Sequence, residues 1–154
     1  MSVVSLIVLL GTLICTFPAH AAFFGIGDSR ENVTAKEGKI TITVSTLETL
    51  QSRRYCYREG GKEITFFIVR DGQGTIRAAL DACEVCWQAG KGYQLTDDGM
   101  VCVNCGRKFA LNRIGIVKGG CNPHPFRFWT DNATVEIETQ ELILGAEYFP
   151  ENRR

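Results

Sequence analysis

Residues 81–105 read DACEVCWQAGKGYQLTDDGMVCVNC and carry two pairs of cysteines, Cys83 with Cys86 and Cys102 with Cys105. Each pair is a C-x2-C element, and fifteen residues separate the two elements. Four thiols at this spacing can converge on one tetrahedral metal ion, and the spacing is typical of metal sites. The sequence therefore predicts that these four cysteines bind a metal.

The segment around these cysteines has little capacity to order itself. Residues 81–126 are rich in Gly, Cys and Asn, and the only stretch with a hydrophobic period is short. Such a segment buries too little apolar surface to offset its conformational entropy, and a metal cross-link supplies the missing stabilisation. Gly106 suits a tight metal-binding turn because glycine tolerates positive φ. We expect the aromatic side chains of Phe109, Trp87 and Tyr93 to shield the site.

The spacing does not identify the metal. Four thiolates suit zinc, a mononuclear iron or an iron–sulfur cluster. A zinc ribbon that only stabilises an interaction domain is one alternative. A thiol redox protein is another, since six cysteines in an exported chain are also compatible with disulfides.

A second cysteine string, GGCNPHP, occupies residues 119–125. Its Cys121 is a candidate for an additional ligand or a redox thiol, or for a disulfide with Cys56. The spacing from Cys121 to His124 is also that of metal ligands, although a lone histidine between prolines is more often structural. The sequence leaves the roles of Cys56, Cys121 and His124 open.

The remaining chain shows the alternation of β-strands. Residues 40–44 alternate Ile and Val with Thr, and residues 134–138 form a similar strand. The run ITFFIV at 64–69 is apolar on both faces, which predicts a central strand. Turns are expected at 60–61 and 71–74 because of their glycines. We predict a β-rich (α+β) fold, a single small domain with one antiparallel sheet and the cysteine segment as an insert packed against it.

The N-terminal segment resembles an export signal. Residues 3–17 form an uncharged apolar run that matches a signal peptide and is short for a membrane span. The string AHA at 19–21 fits a cleavage site, but no Lys or Arg precedes the apolar run, so an uncleaved membrane anchor stays open. We divide the chain into a signal peptide or membrane anchor at 1–21, a loosely ordered lead-in at 22–38, and a metal-binding domain at 39–150.

Charge and residue types exclude two broad classes of function. The chain has 17 basic and 17 acidic residues, so it lacks the basic excess that nucleic-acid binding requires. No nucleophile–base pair stands out, and we therefore expect a protein that is not an enzyme.

Four strings carry a family resemblance. They are GTIRAALDACEVCW at 74–87, KGY at 91–93, MVCVNCGRKF at 100–109 and GGCNP at 119–123. In order and spacing they resemble the FtrD-like membrane iron–sulfur domain family. The resemblance implies Cys83, Cys86, Cys102 and Cys105 as ligands, with Cys121 in a family-like string.

The resemblance also implies a function and a location. Members of the family are bacterial, usually membrane-attached, and often accompany iron-uptake systems. It implies an iron–sulfur cluster or mononuclear iron as cofactor, with zinc as the alternative, and a membrane iron-transport or redox protein as partner. The expected function is electron transfer or iron handling. The expected location is the periplasm or the periplasmic face of the bacterial inner membrane, with possible attachment through residues 3–17.

Overall fold

The computed structural model describes residues 30–151, so the predicted signal or anchor at 1–21 lies outside the described residues. Within this range, the chain forms mostly short strands. The strands are β1 (Arg30–Val33), β2 (Lys39–Thr43), β3 (Ser52–Glu59), β4 (Lys62–Arg70), β5 (Ile76–Leu80), β6 (Tyr93–Leu95), β7 (Gly99–Cys102), β8 (Lys108–Ala110), β9 (Trp129–Thr130) and β10 (Thr134–Glu138). One helix, α1 (Thr139–Ile143), follows β10, and three 3-10 helices lie at Trp87–Ala89, Leu111–Arg113 and Ala146–Tyr148.

The largest sheet has the strand order β1-β3-β4-β5. Strands β3, β4 and β5 form an antiparallel meander, with Gly60 and Gly61, both at positive φ, in the turn between β3 and β4. Residues 64–69 of β4 are all buried, because this strand lies between two others and is covered on both faces. The predicted central strand is therefore confirmed.

A second antiparallel sheet has the order β2-β10-β9 and covers one face of the first. Ile40 and Ile42 of β2 pair with Ile137 and Val135 of β10. These side chains pack against the first sheet in a cluster that we call the sandwich core. Its buried members are Ile40, Ile42, Val44, Leu47, Tyr55, Tyr57, Ile64, Phe66, Ile68, Ile76, Ala78, Leu80, Ala82, Phe126, Val135, Ile137, Leu142 and Phe149.

The cysteine segment covers the opposite face of the first sheet. We call residues 81–121 the cysteine module; it contains the third sheet, β6-β7-β8. Its second core is smaller and includes two of the predicted ligands. The buried members are Phe67, Val69, Ala79, Cys83, Tyr93, Met100, Cys102, Leu111 and Ile114.

The structure confirms a β-rich fold with antiparallel sheets and clustered cysteines, and it differs from the prediction in two details. It has three sheets where one was predicted, because β2 pairs with the distant β10, and strand periodicity does not specify the partner strand. Part of the predicted loose lead-in is ordered. Residues 30–33 form β1, which pairs in parallel with β3 through backbone hydrogen bonds that need no apolar pattern. Among residues 30–151, no helix has the length and apolar character to cross a membrane.

Candidate metal centre

Five thiols converge in the cysteine module. The Sγ atoms of Cys83, Cys86 and Cys121 lie within 4.8 Å of one another, and so do those of Cys86, Cys102 and Cys105. The structure thus brings all four predicted ligands into one cluster and adds Cys121 to it. Cys86 belongs to both groups.

The distance between two of these sulfurs matches that of ligands on one ion. Thiolate sulfurs about 2.3 Å from a tetrahedral zinc are about 3.8 Å apart. The Sγ atoms of Cys86 and Cys121 are 3.9 Å apart. Cys121 therefore lies where a ligand would, although it is outside both C-x2-C elements.

Two tight turns present the paired thiols. The first follows β5, and in it the backbone N–H of Cys86 donates a hydrogen bond to the Sγ of Cys83 at 3.1 Å. The second joins β7 to β8, where the N–H of Gly106 donates to the carbonyl of Cys102 at 2.8 Å. Gly106 has φ +72°, so the predicted need for glycine in this turn is confirmed. Both turns leave their sulfurs free to bind a metal.

A polar network joins the separate loops of the module. The N–H of Tyr93 donates to Oδ1 of the buried Asp81 at 2.7 Å, and its hydroxyl donates to the carbonyl of Cys121 at 2.6 Å. The Arg54 guanidinium donates to the Tyr93 carbonyl and lies 3.7 Å from Oδ2 of Asp81. Gly92 permits this arrangement, because a Cβ there would be 2.5 Å from Oδ1 of Asp81.

Sequence reasoning missed this network. It expected Tyr93 only as an aromatic shield, and it gave Asp81 and Arg54 no role. Arg54 is 39 residues from Tyr93, and no local pattern links positions so far apart. The side chain of Asp81 is 3% exposed. A carboxylate two residues before Cys83 is the one sequence signal that could have pointed to this network.

The environment gives the thiols different acidities before metal binds. Burial raises the pKa of Cys121 to about 12 and that of Cys102 to about 11. The hydrogen bond from the backbone N–H of Arg107 lowers the pKa of the exposed Cys105 to about 7. Because metals bind the thiolate, Cys105 is better prepared than Cys102 or Cys121 to bind a metal near neutral pH.

A cavity of about 250 Å³ opens beside the cluster. The thiol-bearing residues Cys83, Cys86 and Cys102 line it. Charged residues, Asp81 among them, line it as well, so the cavity is partly polar beside the sulfurs.

The predicted aromatic shield is divided between the two sides of the site. Tyr93 and Phe109 pack in the second core with the cysteines, with ring centroids 6.1 Å apart. Trp87 packs against the sandwich core and lines the cavity.

Cys56 and His124 stand apart from both thiol groups. Cys56 is buried in β3, and all six cysteines of residues 30–151 are free thiols. The imidazole of His124 packs on the ring of Tyr148 at 4.9 Å, and its Nδ1 is 3.8 Å from Oε1 of Glu84. The backbone of His124 accepts a hydrogen bond from Leu80, which suits a structural role.

The donor atoms decide which metal ions or clusters the two groups of cysteines could bind. Both groups offer only sulfur, the ligand that suits iron–sulfur clusters, iron and zinc. A β-rich domain with converging thiols places the chain in the class of proteins whose thiolates could bind a metal.

The family is shown by comparison with known proteins. A model of the membrane iron–sulfur containing protein FtrD-like family matches residues 47–149, and the chain belongs to this family. The match includes all five clustered cysteines. Neither the curated proteins nor the solved structures contain a match to the chain.

Proposed function

We propose that this protein is exported or membrane-anchored and binds iron or an iron–sulfur cluster through its cysteine module. In this proposal it passes electrons or iron to a membrane iron-transport or redox partner on the periplasmic side. The observation that carries the proposal is the convergence of five thiols, including Cys83, Cys86, Cys102 and Cys105. Membership of a membrane iron–sulfur family supports iron over zinc.

The exposure of the module suits transfer to a partner protein. Cys105 is exposed, while Cys83 and Cys102 are each 2% exposed, so the cluster extends from the second core to the surface. Val85 and Val103 lie between the paired cysteines and are 63% and 46% exposed. Apolar side chains around a redox centre favour the small, short-lived interfaces of electron-transfer pairs.

In this proposal the protein carries electrons or iron and does not catalyse a reaction of a substrate. The thiols are the nucleophilic groups of the site, and metal binding occupies them. His124, the obvious candidate for a base, has its ring packed on Tyr148. Because the imidazole is packed and the thiols would be occupied by metal, these residues support a carrier rather than an enzyme.

Metal analysis combined with spectroscopy tests the proposal. The full chain, purified without oxygen, is expected to contain iron and to show thiolate-to-iron absorption in the visible range that reductant changes. Cys56→Ser is the matched control, because this cysteine lies outside the cluster, and it should keep the metal and the spectrum. A colourless, EPR-silent protein with bound zinc that is inert to reductant would contradict the iron proposal and support a structural zinc ribbon.

A thiol redox protein is the second candidate, and one observation favours it. Cys105 is exposed and its pKa is lowered to about 7, as in reactive cysteines. If this candidate holds, thiol counting will find disulfides in metal-free protein, and a dithiol donor will reduce them reversibly. Thiols that stay reduced and bound to metal through such cycles would rule it out.

A further inference from the structure

We propose that the cluster is built for two metal ions that share the thiolate of Cys86. The inference rests on the proposed function only in that the thiols bind metal. One ion would use Cys83, Cys86 and Cys121, and the other would use Cys86, Cys102 and Cys105. These are the two groups in which the sulfurs lie within 4.8 Å of one another.

A single ion does not account for this arrangement. A tetrahedral ion takes four thiolates, whereas the cluster has five. The sulfur of Cys83 does not join the group that contains Cys102 and Cys105, so the two C-x2-C elements do not form one compact set. The sulfur of Cys121 instead stands 3.9 Å from that of Cys86, at the separation of two ligands on one ion.

Two ions also account for the number and burial of the thiols. With one tetrahedral ion the fifth cysteine remains a neutral thiol, whereas two ions let all five sulfurs bind as thiolates. Each group contains one sulfur-bearing residue that is almost fully buried, Cys83 in the first and Cys102 in the second. Because a buried charge without a partner is costly, each buried thiolate favours an ion of its own.

The fold holds the third ligand of the first group in place. Cys121 lies 35 residues from Cys86, and the hydroxyl of Tyr93 fixes its loop by a hydrogen bond to the Cys121 carbonyl. Tyr93 is held in turn by Asp81, two residues before Cys83. Tyr93 is thus a positioning residue that connects the Cys121 loop to the first C-x2-C element.

Titration of the metal-free full chain with cobalt(II), without oxygen or sulfide, tests the two-ion arrangement. Thiolate-to-cobalt absorption and the cobalt retained after desalting should both give two ions per chain. Cys121→Ser and Cys102→Ser should each retain one ion, because each removes a ligand from one group only. Cys86→Ser should retain neither, and the control Cys56→Ser should retain two.

The outcomes separate this inference from the proposed function. One cobalt ion in the wild type and in Cys121→Ser, with none in Cys102→Ser, would overturn the two-ion arrangement and leave metal binding intact. No bound cobalt in the wild type, together with no iron in the protein as purified, would overturn both. Retained hydrogen-exchange protection of β4 in each variant shows that the sandwich has folded, so that a lost ion reports on the ligand.

Discussion

The two faces of β4 show two ways of ordering a chain. On one face, the sandwich core has 18 buried residues and several aromatic contacts, including the stacked rings of Tyr55 and Phe66 at 5.3 Å. On the other face, the second core has nine buried residues, and two of them are cysteines. The sandwich strands β3 and β4 have eight and nine residues, whereas β6, β7 and β8 have three or four. Apolar burial thus stabilises the sandwich, and we expect the module to depend on the metal that its thiols bind.

Metal removal is expected to produce the largest difference between the two regions. In small zinc domains, metal binding contributes on the order of 10 kcal/mol to folding. We expect backbone amides of residues 81–121 to lose most of their hydrogen-exchange protection when a chelator removes the metal. The amides of β4 should keep theirs, because the sandwich core remains.

Restoring the metal provides the control for this measurement. Protection of the cysteine module should return on reloading under reducing conditions. Unchanged protection of the module in metal-free protein would show that its nine-residue core orders it without metal. The two faces of β4 would then not differ in what stabilises them.

Truncation of two adjacent phenylalanines tests the faces one at a time. Phe66 packs between Tyr55 and Phe126, and Phe67 packs against Tyr93. Phe66→Ala should lower the free energy of unfolding of the whole domain by about 3–5 kcal/mol, because it opens a cavity in the sandwich core. Phe67→Ala should mainly weaken metal retention and protection of the module.

Denaturant unfolding and metal retention distinguish the two variants. Equal effects of Phe66→Ala and Phe67→Ala on both measurements would mean that the domain responds as one cooperative unit. Different effects would show that the cysteine module opens while the sandwich stays folded.

Prediction from sequence succeeded where the information was local. The apolar run at 64–69 predicted the central strand. The C-x2-C spacing indicated four cysteines as candidate ligands, and these four lie among the five clustered thiols; their role as ligands stays a prediction. The pairing of β2 with β10 was not predictable, because about ninety residues separate the strands and their alternation fits many partners. The contacts of Tyr93 with Asp81 and Cys121 also depend on the folded chain, since each joins segments that are distant in sequence.

Two glycines in the module allow a smaller and sharper test. Gly90 and Gly92 have nearly the same φ, +62° and +63°. A Cβ at Gly90 meets nothing within 4 Å, whereas one at Gly92 lies 2.5 Å from Oδ1 of Asp81. Both alanine variants should pay about 1 kcal/mol for positive φ. Gly92→Ala should cost about 1–3 kcal/mol more, because it displaces the buried carboxylate that holds Tyr93.

Hydrogen exchange of the module measures this difference, and Gly90→Ala is the control for backbone strain alone. The extra loss of protection in Gly92→Ala should appear in the Tyr93 and Cys121 loops and spare β4. Matching profiles for the two variants would show that Asp81 does not hold the loops together.

The smallest expected effect involves no loss of structure and compares two cysteines in the two regions. In metal-free protein, the hydrogen bond from the backbone N–H of Arg107 lowers the pKa of Cys105 to about 7. Burial raises the pKa of Cys56 in β3 above the ordinary value of a cysteine thiol. A lowered pKa means that the thiolate predominates above about pH 7, so alkylation of Cys105 should rise with pH to a plateau there. Cys56 should react slowly throughout, since it is both protonated and buried.

Mass spectrometry after iodoacetamide pulses at several pH values gives the alkylation rates of Cys105 and Cys56 in one sample. Alkylation of Cys105 that rises only near pH 9 would show that the Arg107 hydrogen bond does not prepare this thiol for metal. The cysteine module would then resemble the sandwich in this respect, because neither Cys105 nor Cys56 would be a thiolate near neutral pH.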